Sequence, residues 1–197
     1  MSNRLVLAST SPWRSELLGR LGLPFLTVDP QLDETPWHRS GVPPEEMVLT
    51  LAAEKARAAV SLSPPNSLIL AADQVAEIDG QILNKPKTSE RAVEQLGLLA
   101  GRTHRLLTGI VLFEPSTGRQ ETFLDVESLS MRPLTLQERT NYVAREDVLS
   151  CAGSYRIEGL GISLFESFSV PDFTGVVGLP LLAVVRMLAE FDISPLN

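Results

Sequence analysis

Cations are scarce in this chain, so each one at a structured position calls for a reason. Lys and Arg number 17 against 24 Asp and Glu, giving a formal net charge of −7. The segment Ser9-Thr10-Ser11-Pro12-Trp13-Arg14 reads as a strand passing into a helix N-terminus, where free backbone N–H groups and the helix dipole attract anions. Arg14 falls in the first helical turn, where a positive side chain is disfavoured, and a bound phosphate would cancel that penalty. Lys55 sits within an apolar helical stripe formed by Val48, Leu51, Ala52 and Ala59. It is either a cation aimed into a cleft or a lysine that snorkels to water. Asp73 follows the apolar run Leu68–Ala72, at the carboxyl end of a candidate strand, where open α/β sheets place their ligands.

A hairpin turn at Asp79-Gly80 pairs Ile78 with Gln81, and counting back sets Gln74 opposite Lys85, one residue from Asp73. An Asp73–Lys85 ion pair of purely structural meaning is the alternative to a catalytic pair. Asp33-Glu34, in a loop, can hold a hard divalent cation through oxygen, or can simply be solvated. In the segment 152–161, three glycines surround Tyr155 and Glu158, which suggests backbone in close approach to something. Other chemistries are absent. There is no G-x-x-x-x-G-K-[ST], G-x-S-x-G or H-E-x-x-H. His38 and His104 are too isolated for zinc, and Cys151, among small residues, reads as a packed thiol.

The elements that must position these residues alternate. Strands are expected at Arg4–Ala8, Phe25–Val28, Leu68–Ala72, Gln74–Ile78, Gln81–Asn84 and Ile162–Phe165, with a further hairpin from Leu106–Glu114 and Arg119–Leu129. Helices are expected from Ser11 as cap to a stop at Gly22, from Pro44 to about Val60, from Thr88 as cap to about Ala100, from the capping box Thr135–Glu138 to about Arg145, and over Leu181–Glu190. Early alternation with a central hairpin predicts an α/β fold with a mixed sheet and flanking helices.

Composition narrows the class. At 197 residues, 44% hydrophobic and 21% charged, the chain suits one globular domain. No apolar run approaches the roughly 20 residues of a membrane span, and no signal-peptide pattern opens the sequence. A single cysteine excludes an intramolecular disulfide, and a reducing cytoplasm is the simplest compartment. A pI of about 4.9 argues against a nucleic-acid polymer as partner.

Taken in order, the stretches LASTSPWRSELL at 7–18, DE at 33–34, AAEKA at 52–56, AADQV at 71–75, NKP at 84–86, GRTHRLLTG at 101–109, CAGSYRIEGLG at 151–161 and VVGLPL at 176–181 resemble the Maf family of nucleotide pyrophosphatases across nearly the whole chain. Pro12-Trp13-Arg14 and Asp73-Gln74 resemble the branch acting on 7-methyl-GTP, with Tyr155 where that branch often has Phe. The resemblance implies one two-lobed domain over 1–197 with a cleft, a homodimer, and a divalent metal such as Mg2+ or Mn2+. It also implies release of pyrophosphate from a nucleoside triphosphate.

Asp73 matches the family's acid–base aspartate. Ser9, Arg14, Lys55 and Lys85 fall to phosphate binding, Glu34 and Asp73 to the metal, and Trp13, Gln74 and Glu158 to substrate selection. Replacing Lys55 or Lys85 is accordingly expected to harm substrate handling far more than the fold. A pyrophosphatase for dTTP, UTP or other modified nucleotides, and a nucleotide-binding regulator without catalysis, remain the alternatives.

Overall fold

A computed structural model describes residues 4–38 and 41–197 of the chain. Strand β1 (Arg4–Ala8) leads through Ser9–Ser11 into helix α1 (Pro12–Gly19), followed by β2 (Phe25–Val28), the short α2 (Thr35–His38) and α3 (Pro44–Ala58). Next come β3 (Ser67–Ile78), β4 (Gln81–Leu83), α4 (Ser89–Leu99), β5 (Thr103–Glu114) and β6 (Arg119–Met131). The chain closes with α5 (Leu136–Val143), β7 (Phe165–Ser169), α6 (Phe173–Val177) and α7 (Leu181–Ala189). Seven strands form one mixed sheet in the order β2-β1-β3-β5-β6-β7, with β4 paired to β3. The expected α/β class and mixed sheet are what forms. No described helix is long and apolar enough to cross a membrane.

Contacts divide the chain into two compact units. The first comprises Met1–Asp73, Thr108–Asp125 and Gly178–Asn197, the second Gln74–Leu107 and Val126–Val177. In the first, β1 lies parallel to β2 through Ala8↔Val28 and parallel to β3 through Ala8↔Ala71. Parallel strands need crossovers, and α1 and α3 supply them. Since β1 is flanked by β2 on one side and β3 on the other, the crossover direction reverses there, and the carboxyl end of β1 is a switch point of the kind that receives ligands. The packing behind it is built from small residues: Ala52, Ala53 and Ala56 of α3 and Ala59 just after it meet Val6, Ala8, Ile69 and Ala71 of the strands. Gly109 of β5 takes this to its limit, because a Cβ there would lie 2.5 Å from the carbonyl carbon and oxygen of Val48.

In the second unit the buried face of α4 packs with Ile78, Leu83, Leu106, Leu129, Met131, Tyr142, Tyr155 and Leu164. The β3–β4 hairpin turns at Asp79 (φ 51°) and Gly80 (φ 79°), both left-handed as a two-residue hairpin requires, and Ile78 faces Gln81 as the spacing predicts. Thr88 caps α4, and Thr135 with Glu138 forms the expected capping box. Buried His104 bonds through Nε2 to the Tyr155 hydroxyl at 2.9 Å, while its Nδ1 has no partner.

Several boundaries differ from expectation. The two expected strands Leu68–Ala72 and Gln74–Ile78 are one strand, so Asp73 lies within β3 rather than after it. Helix α1 ends at Gly19, and Gly22 makes a separate left-handed turn. The α-helix after Pro44 stops at Ala58 and tightens into a 3-10 turn over Ala59–Leu62. Ile162 belongs to a 3-10 turn over Leu160–Leu164 instead of a strand, and the strand starts at Phe165. The cause is Gly161, which is pressed so close to the Arg156 carbonyl that the chain folds back on itself before it can extend. The short α2 and α6 were not anticipated, since helices of four or five residues carry too little periodicity to read.

Gly109→Ala is expected to destabilise the protein by about 1–3 kcal/mol, because backbone rather than a flexible side chain must yield. Urea unfolding measures it. Burial holds the His104 pKa down at about 4, with Glu77 opposing more weakly. Below about pH 6.5 the unfolded chain takes up a proton that the folded chain refuses until about pH 4, so stability falls across that window and levels off beneath it. The loss is about 3 kcal/mol at most, and unfolding curves for parent and His104→Gln, compared from pH 7 to 4, should converge as the pH falls.

Candidate active site

The first unit gathers its chemistry at the carboxyl end of β1. Ser11 caps α1: its hydroxyl accepts from the Arg14 N–H at 3.4 Å, and its own N–H donates to Ser9 Oγ at 3.1 Å. Pro12, without an N–H, suits the first helical position. Half-buried Arg14 is tied down rather than solvated. Its Nε donates to the Gly178 carbonyl at 2.9 Å and its Nη1 to the Ala72 carbonyl at 2.8 Å. Burial pulls its pKa down, while Asp73 and then Glu34 pull it back up, and a guanidinium remains charged in any case. The penalty for a cation in the first turn is thus offset by two carbonyls and two nearby carboxylates.

Lys55 does occupy the buried stripe, between fully buried Leu51 and Ala52 of α3 and Ala59 just past its end. It does not snorkel: the residue is 8% exposed, and its ammonium lies 2.6 Å from Asp73 Oδ1 and 2.7 Å from Glu34 Oε1. Asp73 is 5% exposed, and its second oxygen, Oδ2, is buried with no hydrogen-bond partner. Glu34 is half-buried and Asp33 beside it is exposed. The expected partner of Asp73 was Lys85, and the ion pair that forms is with Lys55 instead. The β3–β4 ladder ends at Ala76↔Leu83, short of the Gln74–Lys85 pair that the turn geometry projects, and Lys85 is exposed. Two carboxylates and two cations thus make a first-unit cluster whose formal charges sum to zero.

The second unit holds the remaining candidates. The Gln74 side-chain N–H donates to the Gly175 carbonyl at 2.9 Å, so α6 fixes its direction. Glu158 accepts from Arg156 Nε at 3.2 Å, Arg156 Nη1 donates to Glu146 at 2.9 Å, and the other Glu146 oxygen accepts from the Leu160 N–H at 2.8 Å. Glu146 and Arg156 were missed in the sequence. Arg156, two residues before Glu158, was a readable signal, whereas nothing pointed to Glu146 from a neighbouring helix end.

The glycines of 152–161 accommodate the chain's own atoms. A Cβ on Gly153 would meet the Tyr155 ring at 2.7 Å, and Tyr155 itself is core. Trp13 is half-buried at the start of α1. Burial pushes the Cys151 thiol up to about 11, in keeping with a packed, unreactive residue.

Lys55 also bears on folding, beside the substrate handling expected of it. Removing it leaves Asp73 and Glu34 facing each other without their shared cation, so Lys55→Met should cost about 3–5 kcal/mol. Lys85→Ala, at an exposed position, should stay within about 0.5 kcal/mol of the parent. Urea midpoints of the two variants check the contrast.

The chain matches the family description "Maf-like protein" over residues 4–191. It is 45% identical over 194 residues to a protein of Xanthomonas campestris pv. campestris named 7-methyl-GTP pyrophosphatase, covering 98% of this chain and 99% of that one. It is 45% identical over 186 residues to a protein of that name from Nitrosococcus oceani, covering 94% and 92% respectively. A third, from Pseudomonas aeruginosa, is 44% identical over 186 residues, covering 94% and 95%. With matched residues in both units and a site cluster carried on the matched segments, the chain belongs to the Maf family.

Proposed function

We propose that this chain is a nucleoside triphosphate pyrophosphatase that hydrolyses 7-methyl-GTP to 7-methyl-GMP and pyrophosphate by attack of water on the α-phosphorus. The observation that carries the reading is Asp73, a buried carboxylate with one oxygen pinned by Lys55 and the other without a partner. Such an oxygen is placed to accept a proton from water, and Lys55 fixes which oxygen is available. Water adds to phosphorus, the bond to the bridging oxygen of the β-phosphate breaks, and pyrophosphate leaves with that electron pair. Relatives named for this activity over nearly the full chain support it.

The zero charge sum of Arg14, Lys55, Asp73 and Glu34 bears on the cofactor. A triphosphate brings about four negative charges, so further positive charge has to come with it. Asp73 and Glu34 fit a hard cation that keeps several waters and is shared with substrate phosphates; among described residues there is no cluster of three or more candidate ligands to form a closed cage. When bound, a divalent ion of the Mg2+ or Mn2+ type supplies charge compensation and a more acidic water. Ser9, Arg14, Lys55 and Lys85 take phosphate contacts in this reading, and Gln74 and Glu158 select the base. Trp13 offers an aromatic face to a base that carries positive charge after N7 methylation, a cation–π gain of about 0.5–2 kcal/mol. Because Arg156 already holds one Glu158 oxygen, Trp13 carries a larger share of the discrimination than a free Glu158 would leave it.

Asp73→Asn is expected to lower kcat/KM by at least about a hundredfold, since proton transfer of this kind contributes about 10²–10⁴-fold. The measurement is pyrophosphate release from 7-methyl-GTP, GTP, dTTP and UTP, with and without a chelator. The proposal expects 7-methyl-GTP to be preferred, by about two- to thirtyfold from Trp13 alone, and turnover to stop with chelation. Preference for dTTP or UTP would move the substrate assignment to the other branch. Release of orthophosphate without pyrophosphate would end the reading altogether.

A further inference from the structure

Helix α4 buries Ala92, Gln95, Leu96 and Leu99, and the polar member of that face is 3% exposed. Both ends of the Gln95 amide are used. Its Nε2 donates to the main-chain carbonyl of Asn84 at 2.8 Å, and its Oε1 accepts from the Ser154 hydroxyl at 2.5 Å. Asn84 immediately precedes Lys85. Ser154 is fully buried and lies in the left-handed region at φ 64°, directly after Gly153 at φ 71°. It begins the stretch that runs through Tyr155 to Glu158. A second tie, from the Lys87 N–H to the Leu149 carbonyl at 3.3 Å, joins the same two regions of chain.

The amide contributes to stability, since without it the buried Ser154 hydroxyl and the Asn84 carbonyl each lose a hydrogen bond. Leu or Met would fill a similar volume against Leu96 and Leu99, at a cost in stability for the partners left short of a bond. What an apolar residue cannot do is set a main-chain carbonyl and a hydroxyl at fixed separation. A fully satisfied buried amide is a rigid spacer between the two groups it bonds.

We propose that Gln95 is a positioning residue that fixes the turn carrying Lys85 against the buried Ser154, so that phosphate contact by Lys85 depends on one buried amide. This rests on the reading that Lys85 contacts substrate phosphates. The amide touches no substrate; it acts through Lys85.

The test is steady-state kinetics on 7-methyl-GTP for Gln95→Leu, Lys85→Ala and the double variant, with melting temperatures recorded alongside. Gln95→Leu should raise KM about tenfold with kcat changed less than about threefold, as expected when binding geometry is lost and the chemical step is not. In the Lys85→Ala background the same substitution should add little, because both act on one contact. Ser154→Ala, which removes one of the two amide bonds and no apolar packing, should show the same non-additivity with a smaller KM change, and it serves if Gln95→Leu fails to fold.

A lowered melting temperature with parental KM would make Gln95 merely structural and overturn the proposal. Full additivity with Lys85→Ala would overturn it too. If Lys85→Ala itself has parental kinetics, the phosphate role of Lys85 falls and the proposal falls with it; in the other two failures that role stands.

Discussion

A lysine ammonium buried between two carboxylates is the constraint around which the first unit is arranged. Lys55 on α3 must reach Asp73 on β3 and Glu34 after β2, and no two of these residues are close in sequence. Taking the Lys55 and Asp73 charges out of water, with Glu34 half-buried beside them, is costly unless geometry and hydrogen bonding offset it. The parallel pairing of β1 with β2 and β3, the alanine-rich contact beneath α3 and the two carbonyls that anchor Arg14 all serve to hold that geometry. The result stores a partnerless Asp73 oxygen in a buried place. An orphaned acceptor of this kind is a cost to the fold that substrate, water or a cation can relieve.

Much of this was legible from side-chain type and period. The stripe containing Lys55, the cap at Ser11, the hairpin turn at Asp79-Gly80 and the capping box at Thr135 are local patterns, and local patterns survive into the structure. Asp73 stood out because it follows an apolar run. What could not be read is which distant partner each charge would choose. Lys85 looked the nearer candidate for Asp73 along the hairpin, yet the crossover helix brings Lys55 to it. That choice depends on how α3 packs over the sheet, which no short-range spacing encodes. Glu146, and the carbonyls that receive Arg14, were hidden for the same reason.

The glycine-rich segment teaches a different lesson. Its glycines suggested backbone in close approach to something, and what approaches is the protein's own chain: the Tyr155 ring at Gly153, the Arg156 carbonyl at Gly161. A close approach is real at both places, but the approaching group is internal. The same crowding explains why the strand expected from Ile162 begins only at Phe165. Asp73 and Gln74, adjacent in β3, are the last residue of one unit's segment and the first of the other's, so the residue read as acid–base and a residue read as selective are neighbours along one strand.

The contact at Gly109 has a consequence for how the family member can drift. Because β5 there meets the main chain of α3 at Val48, with no side chain interposed, the height of the helix above the sheet is set by two backbones. Val48 and Lys55 are two helical turns apart, about 10.5 Å along the axis. The ammonium therefore hangs from a fixed mount. Leu, Ile and Val elsewhere in the first unit can be exchanged over generations, and the core can repack around them, without the cation losing its reach to Asp73.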